Sequence, residues 1–140
     1  MVDKRKKLSI IVHSGTMDKL YPVLMLASTA SAMDVETYLF FTFWGLNALK
    51  KEGFASAKLP GIMRIGTGMM KGRVKKAGVP TLDELFKMSV ETGNVKIYAC
   101  STTMEMMNVK RDELISHIDG CVGASTFLGI AMESDIALFI

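Results

Sequence analysis

The stretch Asn94-Val-Lys-Ile-Tyr-Ala-Cys-Ser-Thr-Thr-Met104 decides how this chain is built. Its apolar run, Val95 to Ala99, is typical of a buried strand, and Ser101 and Thr102 are typical N-cap residues of a following helix. Cys100 therefore lies where a strand ends and a helix begins. A thiol in that place can be a thiolate at neutral pH, because the helix amides and the positive helix pole favour the anion.

Outward from this stretch, strand-like and helix-like patterns alternate along the chain. Further strands are predicted at 8–13, 35–43, 120–125 and 134–140 from β-branched, aromatic and other apolar runs. Helices are predicted at 20–33, 46–52, 81–93, 101–107, 110–117 and 126–133, with Pro22 in a first turn and a Thr81–Glu84 capping box. The alternation predicts an α/β fold: a single three-layer α/β/α domain over 1–140, whose mainly parallel sheet has about five strands.

Residues 54–80 are predicted to form an excursion rich in Gly and Met, with one short helix at 69–76. No acidic residue occurs from Gly53 to Leu82, whereas the excursion contains six cations: Lys58, Arg64, Lys71, Arg73, Lys75 and Lys76. Such a run is often only a solvated face. Its interleaved glycines also permit a mobile flap, in which Arg64, Lys71 and Arg73 would attract an anionic substrate or an acidic partner.

The composition narrows the class of protein. Its 140 residues and 49% hydrophobic content fit one domain with a sizeable core and apolar surface left for a subunit interface. No apolar run reaches the ~18 residues of a membrane-spanning helix. The basic start, Met1 to Lys7, is followed by too short an apolar run for a signal peptide, so we expect a cytoplasmic protein. The net charge of +3 does not indicate nucleic-acid binding.

Three strand ends supply candidate site residues. Ligands of parallel sheets bind at the carboxyl ends of the strands, where the sequence places His13-Ser14-Gly15, Phe43-Trp44-Gly45 and Cys100-Ser101. In a flavodoxin-like strand order His13 would approach Cys100, whereas with the second strand between them Trp44 would flank the thiol. Three roles are open for His13: a base for Cys100, a hydrogen-bond donor to an anion, or a histidine that is only hydrogen-bonded at the end of a strand. Trp44 is an aromatic wall of the site, or part of the core or of an interface.

The second cysteine, Cys121, is predicted to be structural, because it lies among small apolar residues without a basic neighbour. Cys100 and Cys121 are 21 residues apart, which is neither a CxxC pair nor a zinc ligand set. No metal is expected, because the Met-rich pieces Met69-Met70 and Met104-Glu-Met-Met107 contain no His or Cys. No phosphate loop and no complete dinucleotide fingerprint occurs, so no cofactor is expected. A thiol peroxidase is disfavoured because the sequence has no Thr-x-x-Cys arrangement.

Several stretches resemble the DsrE/DsrF-like family. The similar segments are Ile11-Val-His-Ser-Gly-Thr-Met-Asp-Lys19, Phe40-Phe-Thr-Phe-Trp-Gly-Leu-Asn47, Ile97-Tyr-Ala-Cys-Ser-Thr-Thr-Met104 and the terminal Leu138-Phe-Ile140. The branch they resemble contains DsrE-type small sulfurtransferases and peroxiredoxin-like proteins. The resemblance implies a homo-oligomer that holds sulfane sulfur, as a persulfide or thiosulfonate, on the cysteine matching Cys100. It also implies that the sulfur passes to small proteins such as TusA-like carriers.

The sequence thus leads to one hypothesis and one rival. The hypothesis is a sulfur carrier or sulfurtransferase in which Cys100 accepts sulfane sulfur, from an anionic sulfur compound or a donor protein, and passes it to a partner thiol. In it His13 assists Cys100, and the substrate is bound by Ser14, Gly15, Trp44, Ser101, Thr102, Arg64, Lys71 and Arg73. The rival is a non-catalytic oligomeric binding or assembly module with an inert structural cysteine.

Overall fold

A computed structural model describes residues 4–140 of the chain and contains one sheet of five strands. The strands are β1 (Lys7–Val12), β2 (Glu36–Phe41), β3 (Val95–Cys100), β4 (Gly120–Val122) and β5 (Ile136–Phe139). They lie in the order β4-β3-β2-β1-β5, and every neighbouring pair is parallel. The predicted α/β fold with a parallel sheet is confirmed. Residues 1–3, part of the predicted basic start, lie outside the described residues.

The strand order decides between the two arrangements that the sequence left open. β2 lies between β1 and β3, with Val12 beside Phe41 and Phe41 beside Ala99. The flavodoxin-like order, in which β1 would be next to β3, is therefore wrong for this chain. Because neighbouring strands are about 4.8 Å apart, the whole width of β2 separates the ends of β1 and β3.

Five α-helices connect the strands: α1 (Met17–Ala32), α2 (Thr67–Lys76), α3 (Leu82–Glu91), α4 (Ser101–Met106) and α5 (Ala124–Met132). Short 3-10 helices occur at Phe43–Leu49, Gly61–Gly66 and Arg111–Glu113. The helix expected at 46–52 is thus a 3-10 helix that begins soon after β2, and α2 confirms the short helix expected in the excursion. The longest helix, α1, has 16 residues, and no helix in the described part of the chain has the length and apolar character that crossing a bilayer requires.

The helix predicted at 110–117 is wrong. Only the turn Arg111–Glu113 is helical there, because Leu114 is extended, with φ −98° and ψ 160°. Leu114 is buried and forms an antiparallel bridge with Lys50. A contact distant in sequence thus overrides the local helical pattern.

The start of α3 agrees with the prediction from the sequence, whereas the start of α1 differs from it. At α3 the capping box is confirmed, since the Thr81 hydroxyl accepts from the Glu84 amide and the Glu84 carboxylate accepts from the Thr81 amide, each at 3.2 Å. α1 begins at Met17, so Pro22 lies in its second turn, not its first. Because proline has no N–H, it cannot bond the carbonyl four residues earlier, that of Asp18.

The two faces of the sheet are covered differently. α1 and α3 pack against one face and form the main core with inward side chains of the strands, among them Ile10, Leu39 and Ile97. On the opposite face α5 contributes Phe127, whose ring stacks on that of Phe40 with 4.6 Å between centroids. The sheet therefore lies between two helical layers, and the candidate thiol belongs to the α5 side.

Candidate functional site

Cys100 is both the last residue of β3 and the N-cap of α4. Its extended backbone, with φ −73° and ψ 113°, lets the strand end and the helix begin within one residue. Assigning the cap to Ser101 or Thr102 is therefore wrong, because Ser101 is already the first helical residue. With Cys100 as the N-cap, a sulfur instead of a hydroxyl occupies the place where N-cap side chains meet the amides of the first turn.

Donors around the sulfur determine its charge. Burial raises the pKa of Cys100, but hydrogen bonding from the Thr103 hydroxyl and amide, the Thr42 hydroxyl and the Thr102 amide lowers that pKa, and the net shift is downward. The Cys100 side chain makes no capping hydrogen bond with the described residues of α4. The site thus favours the thiolate, which is the nucleophilic form of cysteine.

The thiol is nearly closed off from solvent. Cys100 is 5% exposed and packs with Phe40 and Phe127 in the smaller apolar cluster, with Val122 alongside. Reactive cysteines are usually partly exposed. A sulfur compound therefore reaches this sulfur only when the side chains around it move aside.

Thr103 connects the thiol with the turn that follows β2. Its buried side chain lies 3.1 Å from the Thr42 hydroxyl and accepts a hydrogen bond from the Phe43 amide at 3.0 Å. Phe43 has a φ of 50°, in the left-handed region that bulky residues rarely adopt. Thr103 thus stabilises a strained turn after β2 and also lowers the pKa of Cys100, and such strain persists only where the surroundings enforce it.

His13 lies away from the thiol. Its ring is stacked between those of Phe43 and Phe139, with centroid distances of 5.7 and 5.5 Å. Its backbone N–H donates to the Ile140 carbonyl at 2.9 Å. Because β2 separates β1 from β3, the structure does not bring His13 to Cys100. The contacts of His13 support a structural role, as a hydrogen-bonded residue at the end of a strand.

Trp44 is an exposed aromatic group beside the site. Its side chain is 57% exposed and meets Phe43 edge to face, with 6.0 Å between ring centroids. With β2 between β1 and β3, the Phe43–Trp44 turn follows the strand next to the thiol, which agrees with the second strand order considered above. Trp44 is connected to the site through Phe43, whose backbone amide donates a hydrogen bond to the Thr103 hydroxyl.

Gly15 and Ser14 have a packing role at the end of β1. A Cβ on Gly15 would overlap the carbonyl oxygen of Trp44, and a Cβ on Gly45 would overlap that of Val12. The Ser14 amide donates to the carbonyl of the last residue at 3.3 Å. The two glycines therefore let the loops after β1 and β2 interlock, which is a structural reason for their presence.

The cations of the excursion lie toward the other side of the sheet. Lys71 lines a cavity of about 610 Å³ together with Tyr21 of α1 and Leu82 of α3, the helices opposite α5. Arg64 lines a cavity of about 360 Å³ that also borders Gly15, and Arg73 is exposed. The structure therefore does not assemble them as a flap over Cys100, whose apolar neighbours belong to the α5 side.

Cys121, which its small apolar neighbours predicted to be structural, is an exposed thiol on the edge strand β4. The register pairs Cys121 with Ala99, and Val122 with Cys100. Side chains alternate between the faces along a strand. The two thiols thus lie on neighbouring strands but on opposite faces of the sheet, an orientation that a disulfide does not bridge.

Sequence reasoning missed Thr42, Thr103 and Phe127. Each of the two threonines follows closely on the end of a strand, but their meeting depends on β2 being next to β3. Phe127 reaches the thiol from α5, far along the chain. Within residues 4–140, no three side chains of His, Cys, Asp or Glu are grouped in a way that could hold a metal ion.

Known proteins are similar to this chain from end to end. A family model described as DsrE/DsrF/DrsH-like matches residues 4–64 and 55–139. Sulfur carrier protein DsrE2 of Allochromatium vinosum is 34% identical over 160 aligned positions, which cover 98% of this chain and 99% of the relative. The uncharacterized protein YrkE of Bacillus subtilis is 33% identical over 162 positions, covering 100% of both chains.

Two solved structures share the fold. The crystal structure of the YchN protein from E. coli superposes with a TM-score of 0.61 at 13% identity, covering 98% of this chain and 100% of that one. The structure of MTH1491 from Methanobacterium thermoautotrophicum, titled a protein of unknown function, gives 0.60 at 10% identity, covering 95% and 98%. At such low identities these two comparisons concern the architecture alone.

Proposed function

Because this chain belongs to the DsrE/DsrF/DrsH-like family, we propose that it carries sulfane sulfur on Cys100 and passes it to a partner thiol. The observation that carries this proposal is the end-to-end similarity to a protein named as a sulfur carrier. A sulfur-carrier role is supported at the level of the family. The hydroxyl and amide donors around Cys100 support the choice of residue, because they favour the nucleophilic thiolate.

The loading step is a nucleophilic displacement at sulfur. With thiosulfate as donor, the Cys100 thiolate attacks the outer, sulfane sulfur. A bond forms between the two sulfur atoms, the bond to the sulfonate group breaks, and sulfite leaves with that electron pair. The product is a persulfide, and the step needs no external oxidant. With tetrathionate, the same attack leaves a thiosulfonate on Cys100 and releases thiosulfate.

The unloading step reverses the roles of the two thiols. A thiolate of the partner, which we propose to be a small TusA-like carrier protein, attacks the outer sulfur of the persulfide. The new sulfur–sulfur bond forms on the partner, and Cys100 leaves as a thiolate. A thiol with a lowered pKa leaves faster, so the donors from Thr42, Thr102 and Thr103 assist release as well as loading.

We further propose that the protein assembles as a homo-oligomer through its α5–β5 surface, defined as Leu128, Met132 and Phe139. All three are large, apolar and exposed in the single chain, and Phe139 is paired with Ile11, which lies on the α5 face of the sheet. Leu128 and Met132 are four residues apart on α5, so they share one side of that helix. Since α5 also carries Phe127 over the thiol, contacts at this surface are suited to influence access to Cys100.

The test of carriage is intact-protein mass spectrometry after exposure to thiosulfate, tetrathionate or polysulfide. We expect the wild type and Cys121→Ser to gain one sulfur, or one sulfur plus a sulfonate, in a form that dithiothreitol removes. Cys100→Ser should gain neither at that position. Absence of any adduct on Cys100 with all three donors would sink the proposal, and folding of each variant is checked by circular dichroism.

The burial of Cys100 favours the second candidate, an assembly module in which this cysteine is inert. Alkylation under native conditions separates the two. A carrier needs motions that expose Cys100, so slow but measurable labelling at Cys100 is expected while Cys121 reacts fast. If Cys100 is labelled only after global unfolding, in the presence and absence of sulfur donors, the assembly module is the better description.

A further inference from the structure

Residues 61–76, which we call the basic segment, present apolar and cationic side chains on the outside of the molecule. A 3-10 helix and α2 make up this segment, and Thr67 is the one buried residue among its sixteen, all of which are described. Ile62 is 84% exposed, Ile65 is 85% exposed and Met69 is 67% exposed. Spacings of three and four residues place side chains on one side of a helical segment, so these three form an apolar ridge.

The charge of the basic segment has a single sign. Between Gly53 and Leu82 the chain has no aspartate or glutamate. The ion pairs found among the described residues involve only Arg5, Lys6 and Lys7 as cations. Five cations of the segment are therefore uncompensated: Arg64, Lys71, Arg73, Lys75 and Lys76.

Contacts on the inner side hold the segment in place. The Thr67 hydroxyl accepts from the Leu59 amide at 3.1 Å, and the Lys71 ammonium donates to the Ala55 carbonyl at 2.9 Å. Val74 packs against the main core. The outward position of the isoleucines is thus a property of an anchored segment and not of a free end.

A surface that binds the basic segment has to accept both its apolar ridge and its uncompensated cations. Contiguous exposed apolar side chains usually mark an interaction site. Burying the ridge against a second copy of this chain would bring two sets of five cations together, and like charges oppose such a contact. An anionic bilayer surface satisfies both features, since aliphatic side chains enter the boundary between headgroups and acyl chains while lysine and arginine meet the phosphates.

From this geometry we propose that the basic segment docks the protein on anionic lipid surfaces, with Ile62, Ile65 and Met69 inserted and the cations at the headgroups. This is peripheral attachment in the plane of the interface and requires no spanning helix. The inference is independent of sulfur carriage, because it rests on no property of Cys100. The segment flanks the α1–α3 side of the sheet and the thiol belongs to the α5 side, so docking leaves the thiol side free.

The test is co-sedimentation of the full chain with phosphatidylcholine vesicles, with and without added phosphatidylglycerol. Binding is expected only to the vesicles that contain phosphatidylglycerol. It should weaken strongly at high salt, because the screening length falls from about 8 Å at physiological ionic strength to about 3 Å in 1 M salt. No binding to the anionic vesicles, or equal binding to both kinds, overturns the proposal.

Matched variants separate insertion from charge alone. Ile62→Asp and Ile65→Asp should each weaken binding by roughly tenfold or more, since each removes a large apolar side chain from the interface and adds a negative charge. Met33→Asp is the control, because Met33 is 69% exposed at the C-cap of α1, outside the segment, and it should bind as the wild type does. The Arg73→Gln and Lys76→Gln pair should reduce the salt dependence.

Two further results would contradict lipid docking. One is a loss of binding in Met33→Asp as large as in Ile65→Asp, which would show a general effect of charge. The other is a change of the oligomeric state by Ile65→Asp in vesicle-free buffer, which would assign the ridge to a second copy of the chain. Thermal melts show whether every variant is folded. Misfolding is not expected, because the substituted side chains are exposed.

Discussion

The buried hydroxyl of Thr103 accepts a hydrogen bond from the backbone amide of Phe43 at 3.0 Å, and the same residue stabilises the thiolate of Cys100. One side chain at the start of α4 thereby couples the charge of the sulfur to a left-handed turn after β2, where φ of Phe43 is 50°. The coupling is possible because β2 and β3 are neighbours in the sheet.

Thr103→Val should raise the pKa of Cys100. The substitution keeps the shape of the side chain but removes a donor to the thiolate and leaves the Phe43 amide without its acceptor. The free energy of unfolding should fall by about 1–3 kcal/mol, which is typical of a buried polar group left unsatisfied. The pKa is read from the ultraviolet absorbance of the thiolate against pH in the Cys121→Ser background.

Thr102→Val is the matched control for that measurement. The Thr102 side chain is exposed, and this residue acts on the sulfur through its backbone amide, which the substitution keeps. The titration and the unfolding free energy should therefore stay close to those of the parent. Equal shifts in the two variants would refute the role given to the Thr103 hydroxyl.

The lowered pKa of Cys100 predicts a stability that rises with pH. The folded state releases the thiol proton at lower pH than the unfolded chain, where an ordinary cysteine titrates near 8.5. The extra stability is therefore fully present above the unfolded pKa and is lost as pH falls through the folded pKa. Urea unfolding of the wild type and Cys100→Ser should show a difference that grows with pH across this window. A difference that shrinks with rising pH would contradict the shift.

Gly15→Ala should destabilise the protein, whereas Gly129→Ala should not. The added methyl group at Gly15 would overlap the Trp44 carbonyl, and overpacking of this kind costs about 1–3 kcal/mol. Gly129 lies inside α5 with no atom near its missing Cβ, so alanine there should add about 0.5–1 kcal/mol of stability. Chemical denaturation of both variants checks the pair, and a neutral Gly15→Ala would show that the two loops do not interlock as described.

Oxidation of the reduced protein should not join Cys100 to Cys121 within one chain. Their side chains are on opposite faces of neighbouring strands, and a disulfide needs Cβ atoms that face each other. Diamide treatment at low protein concentration, followed by alkylation and peptide mass spectrometry, counts the remaining thiols. An internal Cys100–Cys121 disulfide formed in good yield without unfolding would show that β4 moves or pairs differently.

Local pattern was enough for the architecture and for the place of Cys100. The apolar run of β3 and the polar residues after it are adjacent in sequence, so they predict a thiol at a strand–helix junction without any knowledge of distant contacts. The capping box of α3 is local in the same sense. The error of one residue at the cap of α4 arose because serine and threonine are commoner caps than cysteine.

What surrounds the thiol depends on strand order, which local pattern does not contain. With β2 in the middle of the sheet, Thr42 and Thr103 meet at the sulfur and His13 is stacked two strands away, between Phe43 and Phe139. The cations of the excursion could be recognised from the composition. The side of the sheet on which they lie could not be predicted in this way. The failed helix at 110–117 has the same origin, a long-range bridge between Lys50 and Leu114.

A single-turnover transfer shows whether Cys100 takes up sulfur and passes it to another thiol. The protein is loaded with thiosulfate, freed of donor and mixed with an acceptor protein that has one reactive thiol, and both masses are followed over time. One sulfur atom should move from Cys100 to the acceptor, in the wild type and in Cys121→Ser but not in Cys100→Ser. A sulfur that stays on the protein, or that is transferred equally well by Cys100→Ser, would contradict sulfur carriage on Cys100.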